Sequence, residues 1–139
     1  MIYSSSILEI NKTNLKHNYR ALSKISKNKL IGASIKANAY GLGYREIYKA
    51  LYSEGCRIFF VATLDEALSI RKYFIKSHIY VLNGIEINQI NLVIKNKIIP
   101  VINSIEDLLI ILKKIHKIKK KPKIGIHIDS GINRLGIKI

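Results

Sequence analysis

At 139 residues, 48% of them hydrophobic, the chain is long enough for one domain with a real core and too apolar for a disordered tail. A formal charge of +15, from 24 Lys and Arg against 9 Asp and Glu, raises a nucleic-acid-binding reading. The lysines are spread along the chain among many Ile and Asn, however, and no basic patch interleaved with aromatics supports it. The single cysteine, Cys56, excludes an internal disulfide and reads as a buried thiol. No apolar run approaches the ~18 residues that span a bilayer, and the N-terminus lacks the basic-then-apolar order of a signal peptide. A soluble, cytoplasmic protein is the expectation.

The predicted elements alternate. "TNLKHNYRALSKI" (Thr13 to Ile25) spaces Leu15, Tyr19, Leu22 and Ile25 three or four apart and reads as a helix capped by Thr13 or Asn14. "LIGASI" (Leu30 to Ile35) has the length of a buried strand and ends at Lys36. "YREIYKALYSEG" (Tyr44 to Gly55) is helical, with Gly55 as its stop. A strand, "RIFFVA" (Arg57 to Ala62), follows; then "TLDEALSIRKYF" opens on Thr63 with Glu66 three residues on, the pattern of a capping box. "HIYVLN" (His78 to Asn83) is a third strand and "EINQINLVIKN" a helix. "IIPVIN" (Ile98 to Asn103) is a fourth strand, weakened by Pro100. "SIEDLLIILKKIHK" is a helix capped by Ser104, and "KIGIHID" (Lys123 to Asp129) a fifth strand before the glycine-punctuated loop "SGINRLGI". The densest basic stretch, Lys113 to Lys123, reads as a solvated helix end plus a loop.

Alternation of this kind specifies a parallel sheet with crossover helices. A doubly wound sheet would show a glycine turn after its first strand, but "AYGLGY" lacks the third glycine of G-x-G-x-x-G. A (β/α)₈ barrel needs eight units and typically about 250 residues. The fold class expected is therefore α/β, an incomplete (β/α)₈ TIM-type barrel of about five βα units, in one domain.

In either sheet the chemistry lies at the carboxyl ends of the strands. Those ends carry Lys36 and Tyr40, then Thr63, Asn83 and Asn103, and finally His127, Asp129 and Arg134. A lysine at the mouth of a sheet, against apolar neighbours, is partly desolvated. Its neutral amine is then favoured and can attack an aldehyde to form a Schiff base. The plainer reading is a strand-end lysine that snorkels into solvent.

Three stretches in order decide between them. "IKANAYGLG", "FVATLDEALSIR" (Phe60 to Arg71) and "HIDSGINRLGI" (His127 to Ile137) resemble successive segments of the alanine racemases, pyridoxal-phosphate enzymes of fold-type III. The resemblance runs from about Asn11 to the last residue. It implies that Lys36 holds pyridoxal 5'-phosphate and is one of two proton-transferring bases, and that Tyr40 hydrogen-bonds the cofactor phosphate. Arg134 would lie near the cofactor's phenolic oxygen and the substrate carboxylate. The implied reaction interconverts L- and D-alanine, supplying D-alanine for cell-wall peptidoglycan.

Two positions depart from the family pattern. His127 stands where many members have a lysine, often carbamylated, and Leu42 replaces a histidine in "YGLG". The resemblance further implies that residues 1–139 are the N-terminal portion of the barrel domain. The family's later strands and its C-terminal β-domain, which brings the second base, a tyrosine, to a partner subunit's site, lie outside them. The expectation is a chain not active alone, whose partner is a second copy, as in the family's homodimer, or a complementing C-terminal polypeptide. A non-catalytic, cofactor-binding remnant is the alternative.

Overall fold

Short runs rich in Ile, Val and Phe, each followed by an amphipathic segment, give a sheet whose apolar face is covered by helices. A computed structural model describes residues 6–27, 30–116, 118–119 and 121–138. Strands β1 (Gly32–Ser34), β2 (Ile58–Val61), β3 (His78–Val81), β4 (Ile99–Ile102) and β5 (Gly125–Ile126) form one parallel sheet in sequential order. Helices α1 (Lys12–Ile25), α2 (Tyr44–Ser53), α3 (Leu64–Arg71), α4 (Ile90–Asn96) and α5 (Ile105–His116) alternate with them, α4 being entered through a 3₁₀ turn at Ile87–Gln89. This is the α/β order expected, five strands of a parallel barrel sheet.

Parity along the strands separates two faces. Phe59, Val61, Ile79 and Val81 are fully buried and pack with Ile47, Tyr48 and Leu51 of α2 and Leu64, Ala67 and Ile70 of α3. Ile102 packs with Ile90, Ile111 and Ile115 under α4 and α5. On the opposite face the rings of Phe60 and Tyr80 meet with centroids 5.2 Å apart. Glycine suits position 32 there, because a Cβ would fall 2.6 Å from Phe60 Cε2 and 2.9 Å from Ile58 Cγ2, and those side chains would have to shift.

Several boundaries differ from the sequence expectation. The cap of α1 is Asn11, whose side chain accepts the Asn14 amide at 2.9 Å; Thr13 and Asn14 lie inside the helix. Leu15 and Tyr19 pack on the core, but Leu22 and Ile25 remain 57% and 78% exposed, so only the first half of α1 covers the sheet. Pro100 sits within β4, fully buried and paired with Val81. Ile102 O accepts the His127 amide from the β5 side, so Pro100, two residues earlier, directs its missing N–H the same way. Pairing with β5 begins only at Val101 with Gly125, so no ladder bond is lost.

The expected fifth strand is broken at His127 into β5 and β6 (Ile128–Asp129), and β6 pairs in parallel with β7 (Ile137–Lys138). The basic stretch behaves as read: Lys113, Lys114 and His116 occupy the last turn of α5, where cations suit the helix dipole. Residues 121–124 have no regular structure, and Lys117 and Lys120 lie outside the described residues.

Candidate active site

Lys36 follows β1 by two residues, half-buried, at the carboxyl end of the sheet. From it the backbone enters a left-handed turn: Ala37, Asn38, Ala39 and Tyr40 have φ of 50°, 53°, 55° and 55°. Each non-glycine residue held there costs about 1–2 kcal/mol, so a run of four persists only where neighbours enforce it. The enforcement is visible. Ala39 is buried, and its amide donates to Ile35 O at 2.9 Å. Gly41 N donates to Ala37 O, and Gly43 N to Asn38 O, each at 2.9 Å. The Asn38 side chain accepts Tyr44 N at 3.0 Å, at the start of α2. Tyr40 OH and Ser34 Oγ share a hydrogen bond of 3.1 Å, which folds the tyrosine back over the strand end that carries Lys36.

Glu66 fastens this turn to the rest of the sheet. Its carboxylate accepts Ala37 N at 2.7 Å and Ala62 N at 2.8 Å. Thr63 does cap α3, accepting Glu66 N at 3.4 Å, but the reciprocal half of the expected capping box is replaced by these two bonds.

A second cluster closes the other side of the strand ends. Asn103 Nδ2 donates to Leu82 O at 2.8 Å, so its oxygen faces His127 Nδ1, 2.9 Å away. That nitrogen is therefore the donor of the pair. The same ring borders Gly136, where an added Cβ would lie 3.2 Å from His127 Cδ2 and 2.8 Å from Asp129 N. Asp129 orders the loop that follows, its Oδ1 accepting Asn133 N at 3.0 Å and Gly131 N at 3.1 Å. These backbone amides, Asn133 first, hold its carboxyl below the ordinary aspartate value.

The structure thus brings Lys36 and Tyr40 onto one turn. Arg134 lies exposed on the loop between β6 and β7, beyond β5, and so at the opposite edge of the sheet from β1. Cys56 is buried with its thiol pushed up by desolvation, an inert position and not a nucleophile's. Sequence reasoning missed the role of Glu66 because its spacing from Thr63 already had an explanation. It named Asn103 and His127 as strand-end residues without pairing them.

Five parallel strands in sequential order, alternating with crossover helices, make up part of a (β/α)-barrel. Residues 10–139 match the family model "Alanine racemase, N-terminal domain". The chain belongs to that family. It is 40% identical over 131 residues to the alanine racemase of Rickettsia akari, covering 94% of this chain and 37% of the relative. The alanine racemase of Rickettsia prowazekii is also 40% identical, with 32% of its length covered. Among solved structures, alanine racemase from Bartonella henselae with covalently bound pyridoxal phosphate superposes with a TM-score of 0.86 at 35% identity, over 93% of this chain and 38% of that one. Histidine racemase from Leuconostoc mesenteroides gives 0.83 at 26% identity, over 91% of this chain and 34% of that one. The chain therefore spans about a third of the length of the relatives it matches.

Proposed function

We propose that this chain carries the cofactor-attachment part of a pyridoxal-phosphate-dependent amino-acid racemase that interconverts L- and D-alanine. One observation supports this above the rest: a half-buried lysine begins a strained left-handed turn at the carboxyl end of β1, and the Tyr40 hydroxyl folds back to Ser34, two residues before that lysine. The residues present suit the cofactor. Lys36 offers an amine for its aldehyde, and Tyr40 with Ser34 offers hydroxyls for its phosphate. Gly41 and Gly43 have nothing within 4 Å of an added Cβ, which leaves open room beside the turn. The chemistry the cofactor supplies when bound is an electron sink for the pair released as an amino acid's α-proton leaves.

Lys36 then takes up and returns a proton at Nζ on one face of the substrate, while Arg134 is assigned to the substrate carboxylate and the cofactor's phenolic oxygen. Racemisation needs a base on each face. Lys36 is one of them; the second is assigned to a segment outside residues 1–139, in a complementing C-terminal polypeptide or in the partner of a homodimer. Alanine is favoured over histidine as substrate because the relatives of higher identity are alanine racemases. The product would serve peptidoglycan synthesis in the cytoplasm. No helix among the described residues is long and apolar enough to cross a membrane.

The test is turnover. The chain is mixed with pyridoxal phosphate, with and without a polypeptide supplying the remaining strands and C-terminal domain of a relative, and D-alanine is measured. Activity is expected only in the mixture, and none with Lys36→Ala. No turnover in any mixture would favour a non-catalytic remnant.

A further inference from the structure

The peptide that joins Lys36 to Ala37 donates its N–H to Glu66 Oε1, 2.7 Å away. The other oxygen of the same carboxylate takes the amide of Ala62, at 2.8 Å, one residue past the end of β2. A carboxylate is an acceptor only, with one oxygen here for each converging donor. Charge-assisted bonds of this kind are about twice as strong as neutral ones. A helix-capping glutamate would turn back to the amide of Thr63; Glu66 reaches instead to a residue 29 positions earlier in the chain.

The location gives the contact its meaning. Ala37 is the first left-handed residue, and its N–H lies in the peptide plane that fixes the backbone of Lys36. The next hydrogen bond of the turn, Ala39 N to Ile35 O, spans that plane without holding its N–H. Without Glu66 the plane could rotate and let the strained turn relax toward the right-handed region, swinging the lysine side chain with it.

We propose that Glu66 is a positioning residue for Lys36: its carboxylate clamps the Lys36–Ala37 peptide to the end of β2 and so aims the lysine into the mouth of the sheet. This rests on the reading of Lys36 as the attachment lysine. Glu66→Gln keeps one acceptor and sets its amide NH₂ against the other backbone donor, and Glu66→Ala gives both donors over to solvent, which does not tie the turn to β2.

The experiment is hydrogen exchange resolved to single amides on the full chain, followed by borohydride fixation with pyridoxal phosphate and mapping of the labelled lysines. Ser104→Ala is the comparison variant. It removes the cap of α5, where Ser104 Oγ accepts Asp107 N at 3.0 Å, without touching the turn. In both Glu66 variants the amides of Ala37 and Ala62 are expected to exchange about tenfold faster or more, while the strand amides of β3 hold their rates. The label is expected to move from Lys36 to exposed lysines such as Lys72. Ser104→Ala is expected to change neither. Unchanged exchange at Ala37, or an increase shared equally by β3, would overturn the proposal, as would undiminished labelling of Lys36. Faster exchange at Ala37 beside a wild-type chain that never labels at Lys36 would uphold the clamp and count against the proposed function.

Discussion

Four consecutive side-chain-bearing residues with φ between 50° and 55° mark where local preference yields to the site. Asparagine tolerates that region, and Asn38 also serves a second purpose. Its Oδ1 accepts Tyr44 N, the first amide of α2, for which the preceding Gly43 has no side chain to offer. Asn38 is thus the cap of α2, placed six residues ahead of it. Asn38→Ala is expected to lower stability by about 1 kcal/mol, the usual worth of such a cap, read as a fall in the urea midpoint with an unchanged slope. An unchanged midpoint would mean that solvent replaces the bond at no cost. Nothing in "KANAYG" announces a left-handed turn, since Ala and Tyr disfavour it. The sequence does show the small residues that let it form. What it hides is the long-range partner, Glu66, because a contact across 29 positions leaves no local periodicity.

Among the elements, α1 is held differently from the others. It has no fully buried residue and is tied to α2 by charge. Arg20 bonds Glu54 through Nε at 2.5 Å and through an Nη at 2.9 Å, Lys16 approaches the same carboxylate at 3.6 Å, and Lys12 pairs with Glu46 at 3.0 Å. Arg20, by hydrogen bond and charge, holds the Glu54 carboxyl below the ordinary glutamate value, and Lys12 with Lys49 does the same for Glu46. A carboxyl depressed in the folded state stabilises fully above its unfolded value of about 4.3 and loses that contribution as pH falls through the folded value. Protection of the α1 amides is therefore expected to drop about two- to fivefold relative to β2 below about pH 4, and similarly in 1 M salt at neutral pH. Equal loss in α1 and β2 would show that packing by Leu15 and Tyr19, not charge, holds the helix.

The elements were also the most legible level. Apolar period gave α1 to α5 among the described residues, with Thr63 and Ser104 capping as read but the caps of α1 and α2 misplaced or missed. The ends of strands were less legible, because register decides them. Leu30 to Ile35 contracts to Gly32–Ser34, and the fifth strand breaks at His127 to serve two sheets.

For the molecule as a whole, parallel topology followed from alternation alone; Lys36 follows β1 at one edge of the five-stranded sheet, and Arg134 lies in the loop of the separate β6–β7 pair that comes after β5 at the other edge. Closing that sheet with further strands is the arrangement that would bring the two edges toward each other. Much of the +15 charge lies away from Lys36 and Arg134: Lys113 and Lys114 end a helix, and Lys12, Lys16 and Lys49 pair with glutamates. The most direct measurement is a cofactor trap on the purified chain. Pyridoxal phosphate is added, the visible absorbance recorded, the adduct reduced with borohydride, and the modified peptide mapped by mass spectrometry. Label confined to Lys36, and lost in Lys36→Ala, is the expected result. Label scattered over many surface lysines, or absent altogether, would contradict the assignment of Lys36 as the attachment residue.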